Sequence, residues 1–451
     1  MSDSRQSSQE APQGRVLVVT QEFYPATSVG ALRPAKFCKY LPEFGWIPRV
    51  LTTTEDCLGA RDGSLDPEMV ARTEVIRAPM RPLPRALQVP LETARAAYLR
   101  WRDQDWLLRR TASNARYQSF WWVRALPDLG IPWIRSALKV GREAVRECDC
   151  IYSTYPTGSA HYVALRLSRQ FGLPWIADFR DPWSQGTIVA HMASWKRAIV
   201  RRAERASVRQ CNFVVSTTDA ITRRFRQTYP KEHADKFHTI RNGYDAWDFP
   251  PEEEILASRG DAGIFRAAYF GTLYAGRDPA GLFTALRNLL ESAAIDEDRF
   301  RLELYGPPPP KLQREIHTLG LEKVVRVEGL VPYREGLKLM CQCDLLVVIG
   351  SPRTDDLCIA TKLYEYLYAR RPILALVPPG PIRDFVTDTR AGHALDGNDV
   401  EAIMRYLRDC YEAFKAGQSQ RLTTPIPEHY GRRYQAGQLA QLLSAARLSG
   451  G

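Results

Sequence analysis

Short runs of apolar, often β-branched residues alternate along the chain with stretches whose apolar positions recur at helical spacing. That alternation predicts parallel sheets assembled from strand, helix, strand units. The first half supplies strand runs at 15–20, 49–53, 149–154, 175–178 and 212–217, and a second series follows at 266–270, 300–305, 324–328, 344–349 and 372–377. Two open α/β domains are therefore expected. A loose tail rich in Ser, Gln and Gly occupies 1–14, the first domain 15–250 and the second 262–425. The boundary is placed within 249–263, where Pro250, Pro251 and three consecutive glutamates follow the loop Arg241-Asn242-Gly243-Tyr244-Asp245. A final segment, 426–448, carries Tyr434, Leu439, Leu442 and Leu443 at helical spacing and is expected to pack back onto the first domain.

Size and composition agree with that picture. A chain of 451 residues exceeds one compact core, and 45% apolar with 25% charged residues is an ordinary globular balance. No apolar run approaches the ~20 residues of a membrane span, and the N-terminus shows no secretion signal, so a cytoplasmic protein is expected. The nine cysteines include Cys148/Cys150 and Cys341/Cys343 at a spacing of two, which is not that of a zinc ribbon. They read as reduced thiols in the core, with no metal and no cofactor expected.

The net charge of +11 is concentrated in two places. Residues 81–143 hold 12 Lys or Arg against five Asp or Glu, and 195–226 hold nine against two. The first stretch interleaves its charges with Tyr98, Trp101, Trp106, Tyr117, Phe120, Trp121, Trp122 and Trp133. Such a pattern suits an anionic membrane surface, hence a peripheral location on the inner face of the cytoplasmic membrane, or a phosphate-bearing acceptor. The plainer reading is a solvated basic face. No nucleic-acid-binding motif accompanies the charge, so nucleic acid is not expected as a partner.

In open parallel sheets ligands sit beyond the carboxyl ends of the strands, which makes the residues just after each strand the candidates for chemistry. The run ending at Phe270 passes into Gly271-Thr272-Leu273-Tyr274-Ala275-Gly276-Arg277-Asp278-Pro279. Here Asp278 is expected to cap a helix with Pro279 at its first position, and Gly271 and Gly276 let backbone approach a diphosphate that the Arg277 fork can hold. An ordinary strand-to-helix turn with a solvent-facing arginine is the plainer alternative. A second constellation, Thr361-Lys362-Leu363-Tyr364-Glu365, puts Lys362 and Glu365 on one helix face. The lysine suits phosphate and the carboxylate suits a pair of ribose hydroxyls, against the alternative of a surface ion pair. A third, Asp178-Phe179-Arg180-Asp181-Pro182-Trp183, ends a strand. It reads as contact to acceptor or sugar, or as a helix cap at Asp181 with an ion pair between Asp178 and Arg180; Tyr155, His161 and Ser153 lie near the same edge. Asp103/Asp105 and Asp296/Asp298 mimic a metal-binding acid pair but do not follow buried strands.

Together with Ile240-Arg241-Asn242-Gly243-Tyr244-Asp245 and Tyr152-Ser153-Thr154-Tyr155-Pro156, these segments resemble glycosyltransferase family 4 in order and spacing, over roughly 14–447. The resemblance implies the GT-B fold, two Rossmann-like domains with parallel sheets facing a cleft, acceptor mostly on the first and nucleotide sugar mostly on the second. It also implies transfer with retention of anomeric configuration and without metal. Carried over by position, Arg277 binds the diphosphate and Glu365 the ribose; with them, Arg277, Lys362 and Asp181 are assigned as catalytic and Gly30, Arg33, Gly271, Thr272, Thr361, Lys362 and Glu365 as donor-binding. Gly30 and Arg33 lie in a first loop, 25–33, which in the family faces the donor phosphates and the acceptor. Asp178, Arg180, Tyr155, His161, Asn242, Asp355 and Asp356 are assigned to acceptor or sugar. The chain departs from the family pattern in three places: Leu357 stands where a second glutamate is common, with Asp355 or Asp356 as its substitute; Leu282 stands where a lysine is common; and Arg180 replaces a histidine. The expected function is transfer of a sugar from a nucleotide sugar to a glycan or lipid-linked acceptor in cell-surface polysaccharide or glycoconjugate synthesis. The alternatives are a nucleotide-sugar epimerase of the same fold, or a catalytically degenerate binding protein.

Overall fold

A computed structural model describes residues 14–26, 28–58, 62, 70–80, 128, 130–190, 192–251, 253–254, 263–273, 276–309, 311–351, 357–418 and 421–449. Most of the basic, Trp-rich stretch (81–127, with Asp103 and Asp105), the tail up to 13, and Asp355 and Asp356 lie outside the described residues.

The chain divides into two compact units, one formed by 1–241 with 432–451 and the other by 242–431. In the first unit the order is β1 (Gly14–Val19), α1 (Val29–Tyr40), β2 (Trp46–Thr53), β3 (Glu74–Ala78), α2 (Ile131–Ala144), β4 (Cys150–Thr154), α3 (Gly158–Phe171) and β5 (Trp175–Arg180). It continues with α4 (Ser194–Gln210), β6 (Phe213–Ser216), α5 (Asp219–Thr228) and β7 (Phe237–Thr239). The seven strands are parallel and lie in the order β3-β2-β1-β4-β5-β6-β7.

The second unit repeats the scheme with β8 (Phe265–Phe270), α6 (Ala280–Glu291), β9 (Phe300–Tyr305), α7 (Leu312–Thr318), β10 (Val325–Gly329) and α8 (Tyr333–Gln342). Then come β11 (Leu345–Ile349), α9 (Lys362–Tyr368), β12 (Ile373–Leu376), α10 (Pro381–Asp388), β13 (Gly392–Leu395) and α11 (Val400–Lys415). Its six parallel strands run β10-β9-β8-β11-β12-β13. In both sheets the chain winds outward one way, returns to the middle and winds out the other way, the doubly wound pattern of Rossmann-like folds. The strand order therefore reverses between β1 and β4 in one unit and between β8 and β11 in the other.

Burial explains which strands the sequence announced. All five residues of β11, Leu-Leu-Val-Val-Ile, are buried, because helices cover both faces of a central parallel strand. The strands with no sequence signal, β3, β7 and β13, lie at sheet edges, where their partly exposed residues need not be apolar.

The last helix, α12 (Arg432–Ser449), belongs to the first unit. Trp46 is fully buried and donates from Nε1 to Ser444 Oγ at 3.3 Å, and Arg433 pairs with Glu43 at 2.5 Å. The dividing line falls at Arg241/Asn242, ahead of the expected 249–263. The reason is aromatic packing: the Tyr244 ring stacks on Tyr368 at 4.4 Å, and Phe249 is buried 4.5 Å from the same ring. The prolines at 250 and 251 therefore follow residues already committed to the second core.

One charged pair lies wholly inside the first unit. Arg33 Nε donates to Asp178 Oδ2 at 2.7 Å with both side chains at 0% exposure, and the remaining guanidinium nitrogens donate to the carbonyls of Ile240 and Arg241 at 2.9 Å each. Tyr152 donates its hydroxyl to the same carboxylate oxygen at 2.5 Å. The pair fastens α1 to β5 and to the chain leaving β7. Removing one member strands the other charge in a dry interior, which typically costs about 3–5 kcal/mol. Asp178→Ala is accordingly expected to lower unfolding free energy by that amount in a urea titration; a loss under about 1 kcal/mol would show that the pair is dispensable.

Candidate functional site

In the second unit the candidate residues gather where β8, β9 and β11 end. Gly271 follows β8 with φ 134°, donates its N–H to Tyr305 O at 2.7 Å, and is exposed. Gly306 follows β9 with φ 142°, and a Cβ there would lie 2.1 Å from Gly271 O. Two backbones thus pass at a distance that only glycine permits. Lys362, the first residue of α9, donates Nζ to Phe270 O at 2.8 Å and lies 3.9 Å from the Tyr269 ring centroid. The same ammonium would sit 3.3 Å from a Cβ on Gly271. A positive charge is therefore fixed against the glycine turn. Gly276 has φ 90°, and a Cβ on it would lie 3.1 Å from Ser351 Oγ, so the loop after β8 folds against the residue just past β11. Gly271, Thr272, Gly276, Ser351 and Lys362 thus line the point at which strand order reverses, with Arg277 half-buried next in the loop.

The helix after this loop starts one residue later than expected. Pro279 is in the cap position of α6, and Asp278 Oδ1 accepts from Ala280 N at 3.0 Å from one position further out. On α9, Thr361 precedes the first helical residue and makes no side-chain cap, while its carbonyl accepts from Tyr364 N at 3.1 Å. Glu365 is buried, and its Oε1 accepts from the Tyr333 hydroxyl at 3.1 Å. That hydroxyl also lies 3.3 Å from Asp248 Oδ2. Glu365 is thus a carboxylate held in place inside the unit, and the alternative of an exposed ion pair with Lys362 does not describe it. Asn242, assigned to acceptor or sugar, is buried at the start of this unit.

The first unit corrects several expectations. The loop after β1 ends at Ser28, whose Oγ accepts from Ala31 N at 3.1 Å, so Gly30 and Arg33 are helical rather than in a loop. Gly30 is crowded: a Cβ there would meet Glu22 Oε2 at 2.7 Å and Pro156 Cδ at 3.0 Å. Pro34 has no N–H to offer the Gly30 carbonyl four residues earlier. Arg33 and Asp178 spend their charges on each other and are inaccessible, so the structure gives them a positioning role in place of direct contact with phosphate or sugar. Nor does Asp181 cap a helix: turns follow it, and the next helical residues are the single turn Thr187–Ala190. The expected ion pair of Asp178 with Arg180 is replaced by a backbone contact, Arg180 N to Asp178 Oδ1 at 3.3 Å.

Arg180 ends β5 at φ 55°, a left-handed conformation that a non-glycine residue adopts at a cost and that clusters at functional sites. Its side chain is buried, with Nη1 donating to Tyr155 O at 3.3 Å. The Tyr155 phenol is pushed up by burial and by the Asp128 and Asp181 carboxylates. Asp128 was not singled out from sequence, where it is one acid in a basic stretch. Its oxygens accept from Gly158 N at 2.6 Å, Gly130 N at 2.7 Å and Ser159 Oγ at 2.5 Å, and burial raises its pKa. His161 packs 4.4 Å from the Phe179 ring and meets Ser153 Oγ through Nδ1 at 2.7 Å.

No family model matches the chain, and no curated protein matches it. Solved structures do. A sucrose-phosphate synthase from Thermosynechococcus elongatus superposes with a TM-score of 0.60 at 14% identity, covering 96% of each chain. Anabaena HepE, in complex with UDP and glucose, gives 0.58 at 16% identity over 96% of this chain and all of the other. WaaG, a glycosyltransferase involved in lipopolysaccharide biosynthesis, gives 0.52 at 15% identity over 97% and 98%. The likeness defines the class of fold: the chain has the two Rossmann-like units of the GT-B architecture.

Burial holds the His161 imidazole neutral, its pKa lowered to about 3. The unfolded chain takes up that proton near pH 6.5, so the histidine's contribution is present above 6.5 and is lost as pH falls towards 3, by up to about 1.4 kcal/mol per pH unit. Urea unfolding at pH 7 and pH 5 is expected to show a smaller difference for His161→Phe than for wild type; equal differences would remove His161 as a source of acid sensitivity.

Proposed function

We propose that the protein is a glycosyltransferase that moves a sugar from a nucleotide sugar to a hydroxyl of a glycan or lipid-linked acceptor, with retention of configuration and without metal, in cell-surface polysaccharide or glycoconjugate synthesis. The observation that carries this reading is the ammonium of Lys362 fixed against the Gly271 turn at the strand-order reversal of the second unit. A diphosphate needs such a place: backbone that can be approached closely, with positive charge that need not move. The complex of HepE with UDP and glucose, in a chain of the same fold, supports a nucleotide-sugar donor.

In this reading Gly271, Thr272 and Thr361 contact the donor, Glu365 accepts hydrogen bonds from the ribose hydroxyls, and Arg277 and Lys362 hold the diphosphate. As the bond from sugar to phosphate breaks, negative charge builds on the departing nucleotide. Cations already in position lower that barrier without reorganising. Acceptor and transferred sugar meet Tyr155, Arg180 and Asp181 at the carboxyl ends of β4 and β5. Arg277→Ala is expected to lower turnover ~100-fold, since one such contact is typically worth a few kcal/mol of barrier. A rate within tenfold of wild type would exclude Arg277 from the site.

An anionic membrane surface is the proposed setting, on the inner face of the cytoplasmic membrane. No helix among the described residues is long and apolar enough to cross a membrane, but α4 carries the signs of a surface contact. It exposes Trp195 (57%) and Ile199 (48%) beside the exposed Arg201, Arg202, Arg205 and Arg209. Its one acid, Glu204, is buried and bonded to Ser184 and Tyr229. An apolar, aromatic stripe flanked by arginines inserts at the headgroup level and gains from anionic lipid. Co-sedimentation with phosphatidylglycerol vesicles is expected to fall at least tenfold in Trp195→Ala/Ile199→Asp and to be absent with phosphatidylcholine vesicles. Indifference to both changes contradicts a role for α4.

A further inference from the structure

Two acids of the second unit share one hydroxyl. The Tyr333 phenol oxygen lies 3.1 Å from Glu365 Oε1 and 3.3 Å from Asp248 Oδ2, and both carboxylates are buried, at 7% and 8% exposure. A phenol carries a single hydrogen, and an ionised carboxylate can only accept. The hydroxyl therefore donates to one acid at a time. Like charges this close repel one another, so two acids on one phenol ask for a reason beyond packing.

Each of the three groups is fixed by the chain around it. Tyr333 opens α8 directly after Pro332 in the cap position, its side chain is half-buried, and Gly336 N donates back to Pro332 O at 2.8 Å. Asp248 ends the single turn Ala246–Asp248, which Asp245 caps by accepting from Trp247 N at 3.2 Å. Phe249, next in sequence, is buried 4.5 Å from the Tyr368 ring. Tyr368 is the last residue of α9, the helix that carries Glu365. The segment bearing Asp248 is thus fastened to the helix bearing Glu365, and Tyr333 reaches both acids from a third element. What stays free is the torsion of the hydroxyl, whose rotation redirects the hydrogen bond without moving a heavy atom.

We propose that Tyr333 and Asp248 are positioning residues that make the nucleotide site selective for ribose. In the ligand-free protein Tyr333 donates to Glu365 and holds that carboxylate in place. When the ribose hydroxyls donate to Glu365, the Tyr333 hydroxyl turns to Asp248. The carboxylate is released to the ligand, the phenol keeps an acceptor, and no proton changes owner. Without Asp248 the phenol would either lose its acceptor as ribose binds, which is costly for a half-buried donor, or keep the oxygen that the ribose needs. The proposal rests on the assignment of Glu365 to ribose in the transferase reading and adds the ligand class that the site accepts: ribonucleoside diphosphates, against those that lack the ring hydroxyls.

The test compares uridine diphosphate with 2′,3′-dideoxyuridine diphosphate by calorimetry on wild type, Tyr333→Phe and Asp248→Ala, with Tm measured on the same samples. Wild type is expected to bind the ribonucleotide at least ~10-fold more tightly, the scale of hydrogen bonds to a charged group. In both variants the preference is expected to fall below about threefold through weaker binding of the ribonucleotide, with the dideoxy compound bound within about threefold of wild type. Since the readout is a ratio of two ligands on one sample, a general loss of folded protein does not imitate it. A wild-type preference retained by Tyr333→Phe or by Asp248→Ala overturns the proposal, even where Tm falls, and leaves the donor site standing. A wild-type protein that binds neither compound, or both equally, sinks the assignment of Glu365 to ribose itself, and this proposal with it.

Discussion

Where β8 and β9 end, two strands of backbone pass so closely that a side chain on Gly306 would run into the Gly271 carbonyl, while Gly271 itself holds a left-handed φ of 134°. That approach leaves bare backbone at the strand-order reversal of the second unit, and the rest of the proposed donor site is built around it. Lys362 is held there by the Phe270 carbonyl and the Tyr269 ring, so its charge is in place before any ligand arrives. Glu365, one turn along the same helix, is fixed by Tyr333. Rigid placement of a cation and a carboxylate on one short helix is what recognition of a nucleoside diphosphate asks for, because little conformational entropy remains to be lost on binding.

The first unit handles its charges differently. Arg33 and Asp178 neutralise each other in the interior, and the guanidinium's remaining donors go to the chain that leaves β7. Such a pair adds little net stability, but the loss of either half is costly, so it specifies how α1 meets β5. With that register set, β5 ends at Arg180, whose Nη1 donates to Tyr155 O at 3.3 Å. Arg180 stands there in a left-handed conformation.

Much of the architecture was legible because buried parallel strands cannot hide. Leu345–Ile349 and Ile373–Leu376 are apolar at every position. The edge strands Glu74–Ala78, Phe237–Thr239 and Gly392–Leu395 were not legible, since half-exposed residues carry no such signature. Gly271 and Lys362 could be singled out from the sequence because a strand end is a local feature, and the structure brings the two together at the end of β8. The partnership of Arg33 with Asp178 spans 145 residues and had no local sign, which is why both were assigned to ligand. Asp128 and Asp248 were overlooked for a related reason. What marks them is burial and the partners they hold, and neither exists before the chain folds.

The central claim is that the second unit holds a nucleoside diphosphate through the cation at position 362. Its most direct test is calorimetric titration of uridine diphosphate into the wild-type protein and into Lys362→Met. Saturable binding by wild type, weakened at least tenfold in the variant, is the predicted result. A wild-type protein that gives no binding heat, or a variant that binds as tightly as wild type, would contradict the account.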